Sequence, residues 1–213
     1  MALLRTDRTI ASRPTRYSAA ARHLSRKDPI LRELIQRLGP CQLRPRRNHF
    51  ATLCDSIISQ QLSAKAAQTI CDRFAAIYAL QRPTPTAVAQ TAQARLRAAG
   101  LSSQKTRYVK DLAARFVHAR LVPHRFARHP NEEIITSLCS VKGIGQWTAE
   151  MFLIFALNRL DVLPVGDLGI QKAVMRWYEL SKLPTPSTLK AIAKPWHPYE
   201  SVACWYLWRS LRL

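Results

Sequence analysis

Apolar residues recur along this chain at intervals of three and four, the period of a helix with one buried face. Almost nowhere do they alternate at the period of two that a half-buried strand shows. DPILRELIQRLG (28–39) opens on Asp-Pro and stops at Gly, the start and stop signals of a helix. HFATLCDSIISQQL (49–62) carries Phe50, Leu53, Cys54, Ile57 and Ile58 at helical spacing. SAKAAQTICDRFAAIYAL (63–80) follows, with Ser63 as its cap and Ile70, Phe74, Ile77 and Tyr78 on one side. TPTAVAQTAQARLRAAG (84–100) reads as one small-residue helix ended by Gly100, and SQKTRYVKDLAARFVHAR (103–120) buries Tyr108, Val109, Leu112 and Phe116. NEEIITSLC (131–139) starts from Asn131 as cap and places Ile134, Ile135 and Leu138 on one face. Trp147, Met151, Ile154 and Phe155 repeat at helical spacing beyond it, and three further helices are predicted from Asp167, Thr185 and Tyr199 onward. Pro-rich joints near 83–85, 123, 164, 184–186 and 195–198 separate helices rather than domains. With no repeat and no low-complexity tract, the pattern predicts an all-α assembly of about nine or ten short helices.

Composition leaves that picture in place, but charge adds to it. The 213 residues, 47% hydrophobic, suit one globular domain with a sizeable core. Against 13 Asp and Glu stand 33 Lys and Arg, a formal net charge of +20, which points to a polyanionic partner. A membrane surface ranks well behind, because no apolar run spans a bilayer and no segment is basic on one face and strongly apolar on the other. The five cysteines, Cys41, Cys54, Cys71, Cys139 and Cys204, are scattered beyond metal-ligand spacing. That argues against zinc and against an iron–sulfur cluster. Cys54, Cys71 and Cys204 fall on apolar helical faces, and buried thiols fit a reducing compartment. Residues 1–20 are Arg-rich and acid-poor with no apolar signal core; they bear a weak resemblance to an organellar transit peptide, and the favoured reading is a basic, flexible arm that helps hold nucleic acid, preceding a domain over 21–213.

Between two of the predicted helices lies VKGIGQWTAE (141–150), in a chain with only six glycines. A helix–hairpin–helix turn built on G-x-G directs backbone N–H groups outward, and the second helix adds the positive end of its dipole. Such a turn neutralises a phosphodiester without a long side chain, whereas an ordinary αα-hairpin turn often holds one glycine. The Gly143-Ile144-Gly145 run, beside Lys142 and in a chain of this charge, favours DNA, held through its backbone.

VKGIGQWTAEMFLIFAL followed by LPVGDLGIQKAV resembles the helix–hairpin–helix DNA glycosylase superfamily, with the hairpin at about 132–158. SIISQQLSAKAA and PWHPYESVACWYLW are similar to further segments of its AlkA-type 3-methyladenine DNA glycosylases. The resemblance runs from about residue 20 to the C-terminus and rests on four segments in order. It implies a two-lobed helical fold with an active-site cleft between the lobes. Too few residues precede the first matched segment for the N-terminal β-domain that some AlkA-type enzymes carry, so the short form is expected.

The resemblance places the catalytic carboxylate at Asp167, where an N-cap role is compatible with catalysis. Cleaving an N-glycosidic bond develops positive charge on the deoxyribose, and an ionised carboxylate beside C1′ stabilises it and orients the attacking water. Strand-cutting relatives use a lysine amine after the hairpin, and this sequence has Trp147 there, so the implied product is an abasic site in intact DNA. Trp147, Met151 and Trp205 match the family's base-pocket positions, with Phe50 and Tyr199 nearby, whereas Trp208 goes to the core. An alkylated purine is cationic, so electron-rich rings hold it through stacking and cation–π attraction. The polar turn Gln60, Gln61, Leu62 and Ser63 would fill the gap left by the flipped nucleotide, Gln61 best matching the plug. DNA contacts are further expected at Lys142, Gly143, Ile144, Gly145 and Thr148, and more weakly at Gly100, Lys105 and Arg107. In this family the hairpin also holds a structural Na+ or K+ on backbone carbonyls, which maps to Cys139, Val141 and Ile144; no cofactor is implied. The implied partner is damaged double-stranded DNA, bound by a monomer, in the cytoplasm (nucleoid) of a bacterium or the nucleus of a eukaryote. Two other readings stay open: a glycosylase of this fold for deaminated or oxidised purines, and a non-catalytic DNA-binding module. Asp167 speaks against the module, since a phosphate-binding surface needs no carboxylate.

Overall fold

The computed structural model describes residues 16–121, 126 and 128–213, and among them the chain is helical, with no strand. Twelve α-helices follow one another: α1 (Arg16–Lys27), α2 (Pro29–Leu38), α3 (His49–Ser59), α4 (Ala64–Ala76), α5 (Pro85–Gln90), α6 (Gln93–Ala98), α7 (Ser103–Val117), α8 (Asn131–Cys139), α9 (Gln146–Phe155), α10 (Leu168–Trp177), α11 (Pro186–Ala193) and α12 (Glu200–Ser210). Helices this short depend on their ends, where four N–H groups lack an intrahelical partner. Side chains of Asp28, Asn48, Ser63, Thr84, Ser102, Asp167 and Thr185 each accept one of these N–H groups and so set where α2, α3, α4, α5, α7, α10 and α11 begin.

The ends also account for the differences from the sequence pattern. Residues 84–100 form two helices, because the Thr91 hydroxyl takes the Ala87 carbonyl at 2.7 Å and Ala92 turns to ψ 141°. Asn131 is the first residue of α8 rather than its cap, which is Pro130 with no side-chain hydrogen bond. Helix α1 begins inside the expected basic arm, and Ala20 and Leu24 on it are wholly buried; the rest of the arm, 1–15, lies outside the described residues. These splits account for the larger helix number.

Two groups of helices share one continuous core. Helices α1, α2, α10, α11 and α12 pack together, and α3 to α9 form the other lobe. Asp28 anchors the first: Oδ1 caps α2 at Leu31 N–H (3.0 Å), and Oδ2 accepts from the Tyr178 hydroxyl (2.6 Å) and the wholly buried Trp196 indole (2.8 Å). The lobes meet along the chain leaving α9. There the Leu160 carbonyl accepts from Ser201 N–H (2.9 Å), and the Ser201 hydroxyl accepts from Val162 N–H (3.1 Å). This seam delivers Asp167 to the junction.

Candidate active site and DNA-facing hairpin

Asp167 is the N-cap of α10, only 7% exposed, and three elements point donors at it. Its Oδ1 accepts from Ile170 N–H (2.8 Å) and from the Trp208 indole of α12 (2.8 Å). Its Oδ2 accepts from the Trp147 indole of α9 (2.6 Å). A carboxylate offers about four acceptor sites, so one remains on Oδ2. Gly169 makes the Trp208 contact possible, since a Cβ there would stand 3.0 Å from Asp167 Oδ1 and 3.1 Å from Trp208 Cδ1. Trp208 also packs on Phe155, ring centres 5.6 Å apart.

This corrects the expected division of the C-terminal tryptophans. Cys204 and Trp208 lie one turn apart, on the face of α12 toward Asp167. Trp205 is rotated by about 100° from Cys204; it packs edge-on against Tyr206 with the Arg209 guanidinium over its ring. Cys204 is buried, and burial, with the Asp167 charge behind it, holds its thiol well above the ordinary range. Glu150, also on α9 and 5% exposed, accepts from the Gln146 amide at 3.0 Å. Burial raises its carboxyl, opposed by that amide and reinforced by Asp167.

Beside Trp147 a cleft opens between α3 and α9. A cavity of about 340 Å³ is lined by Asp55, Ser56 and Ser59 of α3, by Trp147, Thr148 and Met151 of α9, and by Arg46, Gln60 and Gln61. A second, of about 330 Å³, continues past Ser56 and Met151 to Phe155 beneath Arg44 and Arg46. Cavities of this size and apolar lining suit a small ring system. Trp147 and Met151, two of the expected pocket residues, both line this cleft. Phe50 does not: it is buried against Phe116, ring centres 5.1 Å apart, on the opposite side of α3. Tyr199 packs edge-on against His23 of α1 and is not among the residues lining this cleft.

The hairpin joins α8 to α9 and is gripped from the N-terminal side. Gly143 has φ +83°, and a Cβ on it would lie 2.1 Å from the Tyr108 ring of α7, so glycine is required there twice over. The Gly143 carbonyl accepts from Gln60 Nε2 (2.7 Å), and Lys142 N–H donates to Asp111 (3.0 Å). Gly145 differs from Gly143: it is extended at φ −95° and its Cβ would meet nothing within 4 Å. It caps α9 with no side chain, leaving the first N–H groups of the helix open to whatever lies outside. The Ile144 side chain is buried and Lys142 is exposed.

The adjacent turn divides its labour. Gln61, at φ 56°, and Leu62 are exposed as a plug would be, whereas the Gln60 side chain is spent on the hairpin. The Ser63 hydroxyl caps α4 through Ala66 N–H (3.3 Å). Lys105, expected as a phosphate contact, spends two of its three donors inside the protein: its ammonium donates to the Ile58 and Gln60 carbonyls (both 2.7 Å), closing the C-terminus of α3, and burial lowers its pKa. Gly100, at φ +103°, ends its own helix, and Arg107 stays exposed.

A sequence profile described as HhH-GPD superfamily base excision DNA repair protein matches residues 54–198. The chain belongs to this superfamily. DNA-3-methyladenine glycosylase 1 of Schizosaccharomyces pombe is 35% identical over 205 residues, covering 93% of this chain and 90% of the relative. The solved structure of the S. pombe 3-methyladenine DNA glycosylase in complex with abasic DNA is similar at TM-score 0.80 and 34% identity, covering 92% of this chain and 97% of that one. A DNA-3-methyladenine glycosidase from Bacillus halodurans is similar at TM-score 0.82 and 35% identity, covering 90% and 88%.

Within the HhH-GPD frame, the structure joins Asp167 to Trp147, sets Trp147, Thr148, Met151 and Gln61 around one cleft, and ties Gly143 to Gln60 of the same cleft. Sequence reasoning missed Trp208, Arg46, Asp55 and Glu150. Trp208 was legible in part, because it lies one helical turn beyond Cys204. Arg46 carried no signal, since it sits in an irregular segment held by its own N–H to the Phe155 carbonyl (2.9 Å).

Proposed function

We propose that the protein is a monofunctional DNA glycosylase of base excision repair that flips alkylated purines of the 3-methyladenine and 7-methylguanine type out of double-stranded DNA and releases them hydrolytically. The observation that carries this reading is the buried Asp167 carboxylate, held by two indoles, one of which, Trp147, lines the α3–α9 cleft. As the bond from C1′ to the base breaks, its electron pair leaves with the base and positive charge grows on the sugar. Asp167, with one acceptor site left on Oδ2, faces that charge and receives or directs a water proton as oxygen attacks C1′. A cationic alkylpurine is already a good leaving group, so electrostatic stabilisation with no general acid suffices.

Trp147 stands where an amine would be needed for strand cleavage, and the Lys105 ammonium is taken by carbonyls. Incubated with methylated duplex DNA, the protein should release 3-methyladenine and 7-methylguanine, separable by chromatography, and leave the strand intact until alkali is added. A borohydride-trapped covalent adduct, or release of oxidised purines only, would overturn the reading.

The hairpin fits the monovalent cation that the resemblance implies. Cys139 ends α8, where carbonyls lack helical partners, and the Val141 carbonyl accepts only Ile144 N–H (3.1 Å), leaving a second lone pair. The carbonyls of Cys139, Val141 and Ile144 would hold the ion, which would brace the turn and take no part in the chemistry.

A further inference from the structure

A carboxylate facing a DNA channel is a liability in a protein that must hold phosphates, and this chain has few acids to misplace, 13 against 33 basic residues. Yet Asp55 is the one acidic side chain among the residues lining the 340 Å³ cavity, on α3 across from Trp147 and Met151. Its charge is only weakly matched within the protein: the Cys71 thiol, a weak donor, gives it one hydrogen bond. The nearest cation, Arg46, reaches it through a single 3.7 Å contact, with the two side chains 62% and 40% exposed, a pairing of little strength. The acid that acts on Asp55, Asp72, accepts from the Gln68 amide (2.7 Å), while Asp167 accepts three hydrogen bonds and Glu150 accepts from Gln146. Asp55 thus keeps acceptor capacity beyond one weak thiol donor, and a negative charge matched only by a loose ion pair, beside an indole and a thioether.

We propose that Asp55 determines the specificity of this pocket for cationic purines, its carboxylate accepting an N–H from the base edge and matching the positive charge that alkylation creates. The proposal rests on the α3–α9 cleft being the base pocket, as the proposed function has it. A neutral purine can offer Asp55 the same amino or ring N–H donors and stack on Trp147 and Met151, but it brings no positive charge. A purine alkylated at N3 or N7 carries a full positive charge and also presents amino or ring N–H donors, which suit an acceptor-only group. The cost that Asp55 imposes on phosphate binding is then offset only when a damaged base occupies the cleft. This converts a repulsion common to all DNA into a preference for the lesion.

Two duplexes that differ only in charge at the lesion provide the test. One holds 7-methylguanine on a 2′-fluoro sugar, which slows hydrolysis and keeps the base cationic; the other holds 7-methyl-7-deazaguanine on the same sugar, of equal shape and neutral. Dissociation constants would be measured by fluorescence anisotropy for the full-length wild type, Asp55→Asn and Asp55→Glu, with melting temperatures alongside. The wild type should prefer the cationic duplex, and Asp55→Asn should lose about tenfold of that preference, the attraction between the carboxylate and the cationic ring, since the Asn carbonyl still accepts the N–H. Its affinity for the neutral duplex should change by less than about twofold, and Asp55→Glu should retain the preference. An unchanged preference in Asp55→Asn, an equal loss on both duplexes, or no preference in the wild type would overturn the role of Asp55. Release of 7-methylguanine from methylated DNA by the wild type is scored separately. Its absence would overturn the proposed function instead.

Discussion

Asp167 serves three donors at once, so a change of one atom in it has separable consequences. In Asp167→Asn the amide still caps α10, because Asn is as good a cap as Asp. Its NH2 group, however, must face one indole N–H, a mismatch costing about 1–2 kcal/mol. The variant should fold with a lowered melting temperature and still bind DNA, while single-turnover base release falls by about 10²–10³. Retained release by the folded variant would remove Asp167 from the chemistry. Glu150 makes an opposite prediction about stability. Burial raises its carboxyl above the ordinary 4.5, so the native state holds the proton more tightly than the unfolded chain does. Above that raised value the buried charge destabilises the fold, and the penalty fades as pH falls through it. Glu150→Gln should therefore raise the melting temperature at pH 7, and the gain should vanish below about pH 4.5. An equal gain at pH 4 and pH 7 would exclude this origin.

At the scale of elements, the hairpin separates a glycine needed by the fold from one needed by a partner. Gly143→Ala places a methyl into the Tyr108 ring at a positive φ and should destabilise the protein by at least about 1–2 kcal/mol. Gly145→Ala meets nothing inside the protein and should melt within about 0.5 kcal/mol of wild type. On DNA, Gly145→Ala should weaken binding to undamaged and alkylated duplexes alike, with a flatter dependence of log K on log salt, because backbone contacts carry no base information. Loss confined to damaged DNA would show that α9 receives the base and not a phosphate. The amphipathic faces of α2, α3, α4 and α7 were legible because each is a plain period bounded by a cap. The break at Thr91 was not, because a threonine hydroxyl turned back on its own helix leaves no trace in periodicity.

At the scale of the molecule, two lobes meet at a seam, and the site lies where both contribute. Helix α12 supplies Trp208 from one lobe, α9 supplies Trp147 from the other, and Asp167 is placed between them. Gln60, closing α3, reaches the hairpin beyond α8, so the turn offered to the DNA gap and the turn offered to the phosphate share one hydrogen bond. If the hairpin carbonyls hold a monovalent ion, the melting temperature should rise in KCl or NaCl over choline chloride at equal ionic strength. Equal melting in all three salts would argue against that site.

Helical class, the cationic character and the placing of Asp167 at the start of α10 could be read from the sequence. Each depends on local order: a period of three to four, a sum of charges, a carboxylate before an apolar helix after a G-x-G turn. The partners of Asp167 could not. Trp205 and Trp208 differ only by the angle at which each leaves α12, and that angle takes meaning from where the other lobe stands. Lys105 and Lys142 are equally basic in the sequence, yet one closes a helix 45 residues before it and the other stays in solvent. Phe50 and Met151 are equally apolar, and only the packing of α3 on α7 and α9 turns one to the core and leaves the other to the cleft. Periodicity says that a side chain is buried; against what, and facing which cavity, is decided by contacts between residues distant in the chain.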